Sequence, residues 1–472
     1  ARSRAILPDQ PGSRDYQRHL ITSMTQTSSK SADFLARDRA HLLHPLHSAK
    51  QHQQARVWVS GQGAILTDAD GKTFIDGLAG LWNVTAGHGN QELVQAMHEQ
   101  AGRLAYVSGY SGSSNPCAIE LAEQLATLCY PSINHFFFTS GGGEATESSI
   151  KMARAYWKHR GQSAKTKVIS RKEGYHGVTL AAMSATGLSP YWPLFEPRVP
   201  GFSHIPSPYP YRYEGRDHQS QGLSAADELE QAILREGAET IAMFIAEPVQ
   251  GAGGVIVPQD DYFPRIREIC DHYQVLLVAD EVITGFGRTG EMFGLSHWGI
   301  EPDIIQFAKA ITSGYFPLGG IGINDAIADT LDKADTPWMH AYTYSAHPVG
   351  CAVALRMLRL IKEESFPEQA ATKGRRLLQQ LRSALSDHPH VGDIRGKGLM
   401  CAVELVENKE TKKSFSTEQQ IGMRVNQEAI EKGLFSRVKG DSYLLAPPVV
   451  TTDSQLDQIV EILTKAIRAI LG

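Results

Sequence analysis

The chain has 472 residues, 42% of them hydrophobic and 21% charged, with a formal net charge of −5. That composition belongs to a globular protein of two or three domains, and it offers no positive field for nucleic acid or an anionic membrane surface. No apolar run approaches the ~18 residues of a membrane span. The five scattered cysteines form no Cys-x-x-Cys pair and read as buried thiols of a reducing cytoplasm.

Residues 1–32 read as an N-terminal extension. Arg2, Arg4, Arg14 and Arg18 are mixed with Asp9 and Asp15, and no signal-peptide apolar core is present, so residues 1–23 suit a leader or an added extension. Residues 33–80 follow as a segment expected to pack with a small domain. It opens as a polar, His-rich stretch with one short helix and Pro45. It continues as a β meander whose Asp70-Gly71 is a hairpin turn.

Residues 81–338 alternate strands and helices. Strands are predicted at 135–139, 167–170, 240–246, 275–279, 303–308 and 319–323. Helical faces are predicted at 144–160 (Ile150, Ala153, Trp157) and 262–273 (Phe263, Ile266, Ile269). This is the pattern of an α/β domain with a mostly parallel sheet. Residues 339–472 read as a smaller α+β domain, with helices at 348–363, 366–386 and 416–432 and strands near 398–405 and 442–446. A last helix opens on the capping box Thr452-Asp453-Ser454-Gln455 and buries Leu456, Ile459, Leu463 and Ile467.

Ligands of such sheets bind beyond the carboxyl ends of the strands. The first run ends in Gly141-Gly142-Gly143 before a helix, which suits an anion such as phosphate or a plain tight turn. The second ends in Tyr175-His176-Gly177, where the tyrosine caps a planar ligand or packs in the core. The third ends in Glu247-Pro248 and a glycine-rich loop, a positioned carboxylate or a solvated one. The fourth ends in Asp280-Glu281-Val282, and the fifth in Lys309. An acid and a lysine leaving buried strands need partners, whether each other or a ligand.

A phosphate site, a ring cap, an acid and a lysine on one sheet edge are together what pyridoxal 5'-phosphate uses: a lysine for its aldehyde, a carboxylate for its ring nitrogen and N–H groups for its phosphate. A competing signal, the G-x-G-x-x-G of Gly285, Gly287 and Gly290, is a weak dinucleotide fingerprint. Asp280 to Thr284 separate it from its strand, and Gly294, Gly299 and Pro302 spoil the helix that should follow.

"LLVADEVITGFGRTG" and "DIIQFAKAITSGYFPLGG" resemble the signature of class III, fold-type I aminotransferases, with Asp280 and Lys309 at the family's spacing. The resemblance runs from about residue 33 to the C-terminus. It implies a homodimer, or a pair of dimers, with the active site at the subunit interface. It implies Lys309 as Schiff-base lysine and proton shuttle, Asp280 on the pyridine nitrogen, and Val282 and Tyr175 on the two ring faces. Glu247 would support the Asp280 side, and Gly142 and Gly143 would bind phosphate. Thr343, in "HAYTYSAHP", would reach the phosphate from the other subunit. Gly141 stands where relatives often have serine, which leaves Ser140 or Thr146 as replacements.

"GLWNV" and "SRVKGD" are similar to motifs of amine–pyruvate (omega-) transaminases. They imply Trp82 lining the pocket, Tyr110 entering from the neighbouring chain, and Arg437 as a mobile arginine for a carboxylate. Ala252 stands where relatives that use 2-oxoglutarate often have the glutamate that pairs with that arginine. Pyruvate is therefore expected as acceptor and an amine or omega-amino acid as donor, with no metal. A 4-aminobutyrate, β-alanine or taurine donor, or a mutase or decarboxylase on the same scaffold, remain the alternatives.

Overall fold

The computed structural model describes residues 30–48, 50, 52, 55–213, 220–334 and 336–472. The expectations for residues 1–23, and all but the last three residues of the 1–32 extension, lie outside them. The chain divides into two units, residues 1–60 with 66–73, and residues 61–65 with 74–472. In the first, the described part includes a helix, Lys30–His41, most of the strands Trp58–Gln62 and Ile65–Asp68 of the expected meander, and the turn foreseen at Asp70-Gly71. The turn is closed by Gly71 N donating to Asp68 O at 3.0 Å. Arg56 pairs with Asp68 at 2.7 Å.

The second unit is built on a seven-stranded sheet. Its strands are β1 (Ile133–Thr139), β2 (Lys167–Arg171), β3 (Phe202–Ile205), β4 (Ile241–Ala246), β5 (Leu276–Asp280), β6 (Ile304–Phe307) and β7 (Gly319–Asn324), in the order β1-β7-β6-β5-β4-β2-β3. β2 to β6 run parallel, and only β7 is antiparallel to its neighbours β1 and β6. β4, β5 and β6, with the mainly apolar sequences IAMFIA, LLVAD and IIQF, are buried throughout, as strands covered on both faces are. β3 (sequence FSHI) carries no such run, and its edge position needs none, which is why the pattern did not reveal it.

Register positions the site. Ala246 pairs with Ala279, and Asp280 with Gln306. Glu247, Asp280 and Lys309 therefore leave the sheet at one edge. β7 begins with Gly319 opposite Thr139 at the end of β1, so the glycines of 141–143 emerge at the same edge. The helices α1 (Gly142–His159) and α2 (Tyr262–Tyr273) bury the faces foreseen for them, Ile150, Ala153 and Trp157 on α1 and Phe263, Ile266 and Ile269 on α2.

The C-terminal part contains α3 (Pro348–Glu363), α4 (Phe366–Leu385), α5 (Ile421–Glu431) and α6 (Asp453–Leu471). Its four-stranded antiparallel sheet consists of β8 (Val391–Lys397), β9 (Met400–Leu405), β10 (Arg437–Lys439) and β11 (Ser442–Leu445), ordered β8-β9-β11-β10. Thr452 and Gln455 cap α6 reciprocally, and its four expected apolar residues are buried. Ile75 and Asp76 pair in parallel with Leu434 and Phe435.

The glycine-rich loop after β5 turns out to be the seam against this part. A Cβ on Gly290 would stand 3.0 Å from Ala371 Cβ of α4, and one on Gly287 3.2 Å from Pro367 N. Between them Arg288 is fully buried and donates to Pro447 O at 2.6 Å. Burial pushes its guanidinium down to about 10. Gly374 of α4 lies so near the β8–β9 turn that an added Cβ would come within 2.0 Å of Gly398 O.

Gly374→Ala should therefore lower stability by about 1–3 kcal/mol through overpacking, despite the ~1 kcal/mol that alanine gains over glycine in a helix. Urea unfolding checks the sign, and a raised midpoint would contradict the close approach.

Candidate active site

The edge described above opens into a cavity of about 380 Å³, within the size range of small-molecule sites. Its floor is the end of β5. Asp280 is 3% exposed, and a carboxylate so placed requires hydrogen bonds. His176 Nδ1 donates to its Oδ2 at 2.7 Å, and Val282 N donates to Oδ1 at 3.1 Å. Glu247, equally buried, accepts from Tyr175 N and Gly251 N, each at 2.9 Å. Burial holds its carboxyl above the usual range, against the lowering effect of His176.

Lys309 follows β6 with its φ at +49°, a left-handed conformation that a non-glycine residue adopts only where the surroundings impose it. It is half-buried and lines the cavity, and its Nζ makes no hydrogen bond or ion pair among the described residues. Burial lowers its pKa, opposed by the charges of Asp280 and Glu247.

Opposite the acids, the 18-residue helix α1 begins at Gly142, and no side chain caps it from Gly141. Its first N–H groups and its positive dipole end thus remain available to an anion. Ser140 lines the cavity, while Thr146 is committed to His176 O at 2.7 Å and to Gln306 Nε2 at 2.9 Å. A Cβ at Gly142 would press on Val282 Cγ1 at 3.1 Å, which places Val282 directly against the glycine turn.

The cavity thus brings together Gly142, Gly143, Tyr175, Glu247, Asp280, Val282 and Lys309. Four candidates lie outside its lining. Trp82, 3% exposed, packs in the main core with Leu78 and Ala86, at a φ of +63°. Its neighbour Asn83 lines the cavity instead, with Oδ1 buried and unpartnered among the described residues. Thr343 is exposed, and Tyr110 is 68% exposed. Arg437 is exposed on β10, its guanidinium without a hydrogen bond or ion pair among the described residues. Its charge nevertheless reaches Tyr175, whose hydroxyl is pushed up chiefly by burial and lowered by Arg437.

Two buried residues escaped the sequence reading. His176 was visible beside Tyr175, but nothing local showed that it would meet Asp280 from a different strand. Arg171, 1% exposed, donates through Nη2 to Glu247 O beneath the site. Glu281 proves to face away from the cavity. It accepts from Tyr130 Oη at 2.6 Å, Gly294 N at 2.8 Å, Leu295 N at 3.1 Å and the Thr284 hydroxyl. Burial raises its pKa, and these donors oppose the shift.

Comparison with known proteins bears on the chemistry. The family described as Aminotransferase class-III matches residues 47–467. The putrescine–pyruvate aminotransferase of Pseudomonas aeruginosa is 41% identical over 445 residues, 93% of this chain and 97% of that protein. A thermostable (S)-enantioselective omega-transaminase from Thermomicrobium roseum has a TM-score of 0.91 at 47% identity, covering 95% of this chain and 100% of that one. An amine transaminase from an uncultivated Pseudomonas species, solved in its PLP-bound form, gives 0.88 at 39% identity, covering 91% and 98%.

Glu281→Ala should cost roughly 3–5 kcal/mol, because it strands several buried donors at once. Glu281→Gln should cost less. Urea unfolding measures both, and an unchanged midpoint for Glu281→Ala would refute the anchoring role.

Proposed function

The chain belongs to the class III aminotransferases, which use pyridoxal 5'-phosphate, and from that membership we propose that it moves the amino group of an amine or omega-amino acid to pyruvate. The products would be an aldehyde or ketone and L-alanine, formed in two half-reactions of a ping-pong cycle. The observation that carries the acceptor assignment is Arg437, exposed, unpaired among the described residues and close enough to act on Tyr175.

The cavity suits the cofactor. The uncapped start of α1 fits a phosphate, Lys309 Nζ is unpaired, and a buried carboxylate and an aromatic ring lie in the same space. When bound, the cofactor supplies an aldehyde that takes up the amino group and a protonated ring that accepts the electrons of the broken C–H bond. Gly142 and Gly143 would hold the phosphate through backbone N–H groups. Tyr175 and Val282 would bracket the ring, and Asp280, oriented by His176, would face its nitrogen. Glu247 would fix Tyr175 through its backbone N–H.

Lys309 Nζ would hold the cofactor covalently at rest. Once displaced by the donor amine, it would take the proton from the amine-bearing carbon and later return one. The pKa lowering by burial increases its neutral fraction near neutrality, and only the neutral amine can accept a proton.

Arg437 would fork onto the pyruvate carboxylate and swing aside for an apolar donor. Ala252 offers it no carboxylate partner, which supports a small keto acid over 2-oxoglutarate. The name of the Pseudomonas aeruginosa relative supports the same acceptor. Trp82 would act from the core by setting the position of Asn83. Tyr110 and Thr343, both exposed in the single chain, would complete the site from a second copy, so we read the working form as a homodimer. The free cysteines Cys270, Cys351 and Cys401, all buried, suit a cytoplasmic location. Among the described residues no helix is long and apolar enough to cross a membrane.

Lys309→Ala should abolish the visible absorption of the lysine-bound cofactor and reduce turnover by at least about 10²–10⁴-fold. Retained turnover would overturn its role. Arg437→Ala should raise KM for pyruvate by roughly 10–100-fold, the loss of a charge-assisted pair, and should spare amines without a carboxylate. With a panel of donors, alanine from pyruvate should form faster than glutamate from 2-oxoglutarate, and the reverse order would refute the acceptor assignment.

A further inference from the structure

We infer that Asp38, His44 and His52 form a zinc-binding site in the N-terminal unit, apart from the residues assigned to the cofactor. Asp38 lies in the last turn of the helix Lys30–His41, His44 just beyond it, and His52 after a further turn. His44 Nε2 stands 2.8 Å from Asp38 Oδ2, and His52 Nε2 3.0 Å from the same oxygen. The three ligand atoms lie within 4.8 Å of one another. No other such group of His, Cys, Asp or Glu occurs among the described residues.

The helix Lys30–His41 buries no residue, and Leu42, Leu43 and Leu46 are exposed by 59%, 96% and 64%. Leu46 is held at a φ of +63°, a conformation that a branched apolar side chain disfavours. Yet the side chains of Asp38, His44 and His52 are only 17–19% exposed. A segment whose helix lacks a core thus shelters a cluster of potential metal ligands. Small elements without a core commonly gain their order from such a site.

The donor set selects the ion. Two imidazole nitrogens and one carboxylate oxygen suit a borderline divalent metal with one further position for water, and zinc fits this best. Magnesium and calcium prefer oxygen donors throughout. Tetrahedral bonds of about 2.0–2.1 Å separate ligand atoms by about 3.3 Å, so the two nitrogen–oxygen spacings of 2.8 and 3.0 Å need to open by only a few tenths of an ångström. The two imidazoles are stacked, with centroids 3.3 Å apart and planes at 18°. Binding would splay the rings slightly and clip residue 38 to residue 52.

Holoenzyme freed of metal with a chelator and titrated with zinc should bind one ion per chain. Cobalt should give ligand-field bands at longer wavelength than the cofactor. His44→Ala and His52→Ala should each weaken zinc binding at least 100-fold, whereas His41→Ala, exposed and outside the cluster, should not. Retained cofactor absorbance shows that each variant folds. Limited proteolysis of the unaltered protein adds a readout that needs no variant, since zinc should slow cleavage between residues 42 and 52. Three results would overturn the site: no stoichiometric zinc, equal binding in the two histidine variants, or cleavage indifferent to zinc.

Discussion

Asp280 and Glu281 leave an apolar strand side by side, and each must find its partners away from water. An unpaired carboxylate at that depth would cost several kcal/mol. Asp280 finds His176, carried from the end of β2, together with the backbone of Val282. Glu281 finds Tyr130, Thr284 and two backbone N–H groups of the segment 294–295. The first set of bonds shapes the cavity. The second pins both ends of the glycine-rich loop. A dipeptide thus ties a site to a seam, and both depend on the same unsatisfied acceptors.

Electrostatic balance at the cavity follows from burial. Desolvation drives Lys309 toward its neutral form, and Asp280 and Glu247 draw it back. The same desolvation drives Glu247 toward its protonated form, with His176 opposing. A ligand that brings both a phosphate and a cationic ring nitrogen would answer two needs at once. Its phosphate would meet the uncapped N-terminus of α1, and its ring cation would meet the carboxylates. The chemistry of the donor set therefore agrees with the family's cofactor.

Much of this was legible because it depends on local pattern. Buried parallel strands read as continuous apolar runs, so the breaks after them marked the site edge, and Glu247, Asp280 and Lys309 followed from position alone. β3, β8 and β10 escaped because sequences such as FSHI, VGDIRGK and RVK carry neither an apolar run nor a clear alternation. The glycines of 285–290 read only as a weak dinucleotide fingerprint, since their reason, the close passage of Pro367 and Ala371, lies about eighty residues downstream. Trp82 shows the limit most clearly. Its motif implied an indole lining the pocket, whereas in the single chain the indole packs in the core, on a turn with Ala79, Gly80 and Trp82 all at positive φ. Asp76 anchors this turn through Leu78 N at 3.1 Å and Gly80 N at 2.7 Å. No sequence pattern distinguishes an indole facing a cavity from one facing the core beside it.

The seam also accounts for the contrast between a rigid floor and a free arginine. Asp280 belongs to a strand bonded on both sides, and the loop beyond Glu281 is locked by Arg288 on Pro447. Pro447 in turn follows β11, whose other edge carries β10 and Arg437. The backbone of residue 437 is thus referenced to the strand that bears Asp280 through one continuous set of hydrogen bonds and packed glycines. The guanidinium at its end is left without a partner among the described residues. A fixed backbone under an unpaired side chain confines motion to the rotamers of Arg437 alone. That is the form of mobility a pocket needs if it must accept a carboxylate in one half-reaction and an apolar amine in the other, without loosening the groups that hold the cofactor.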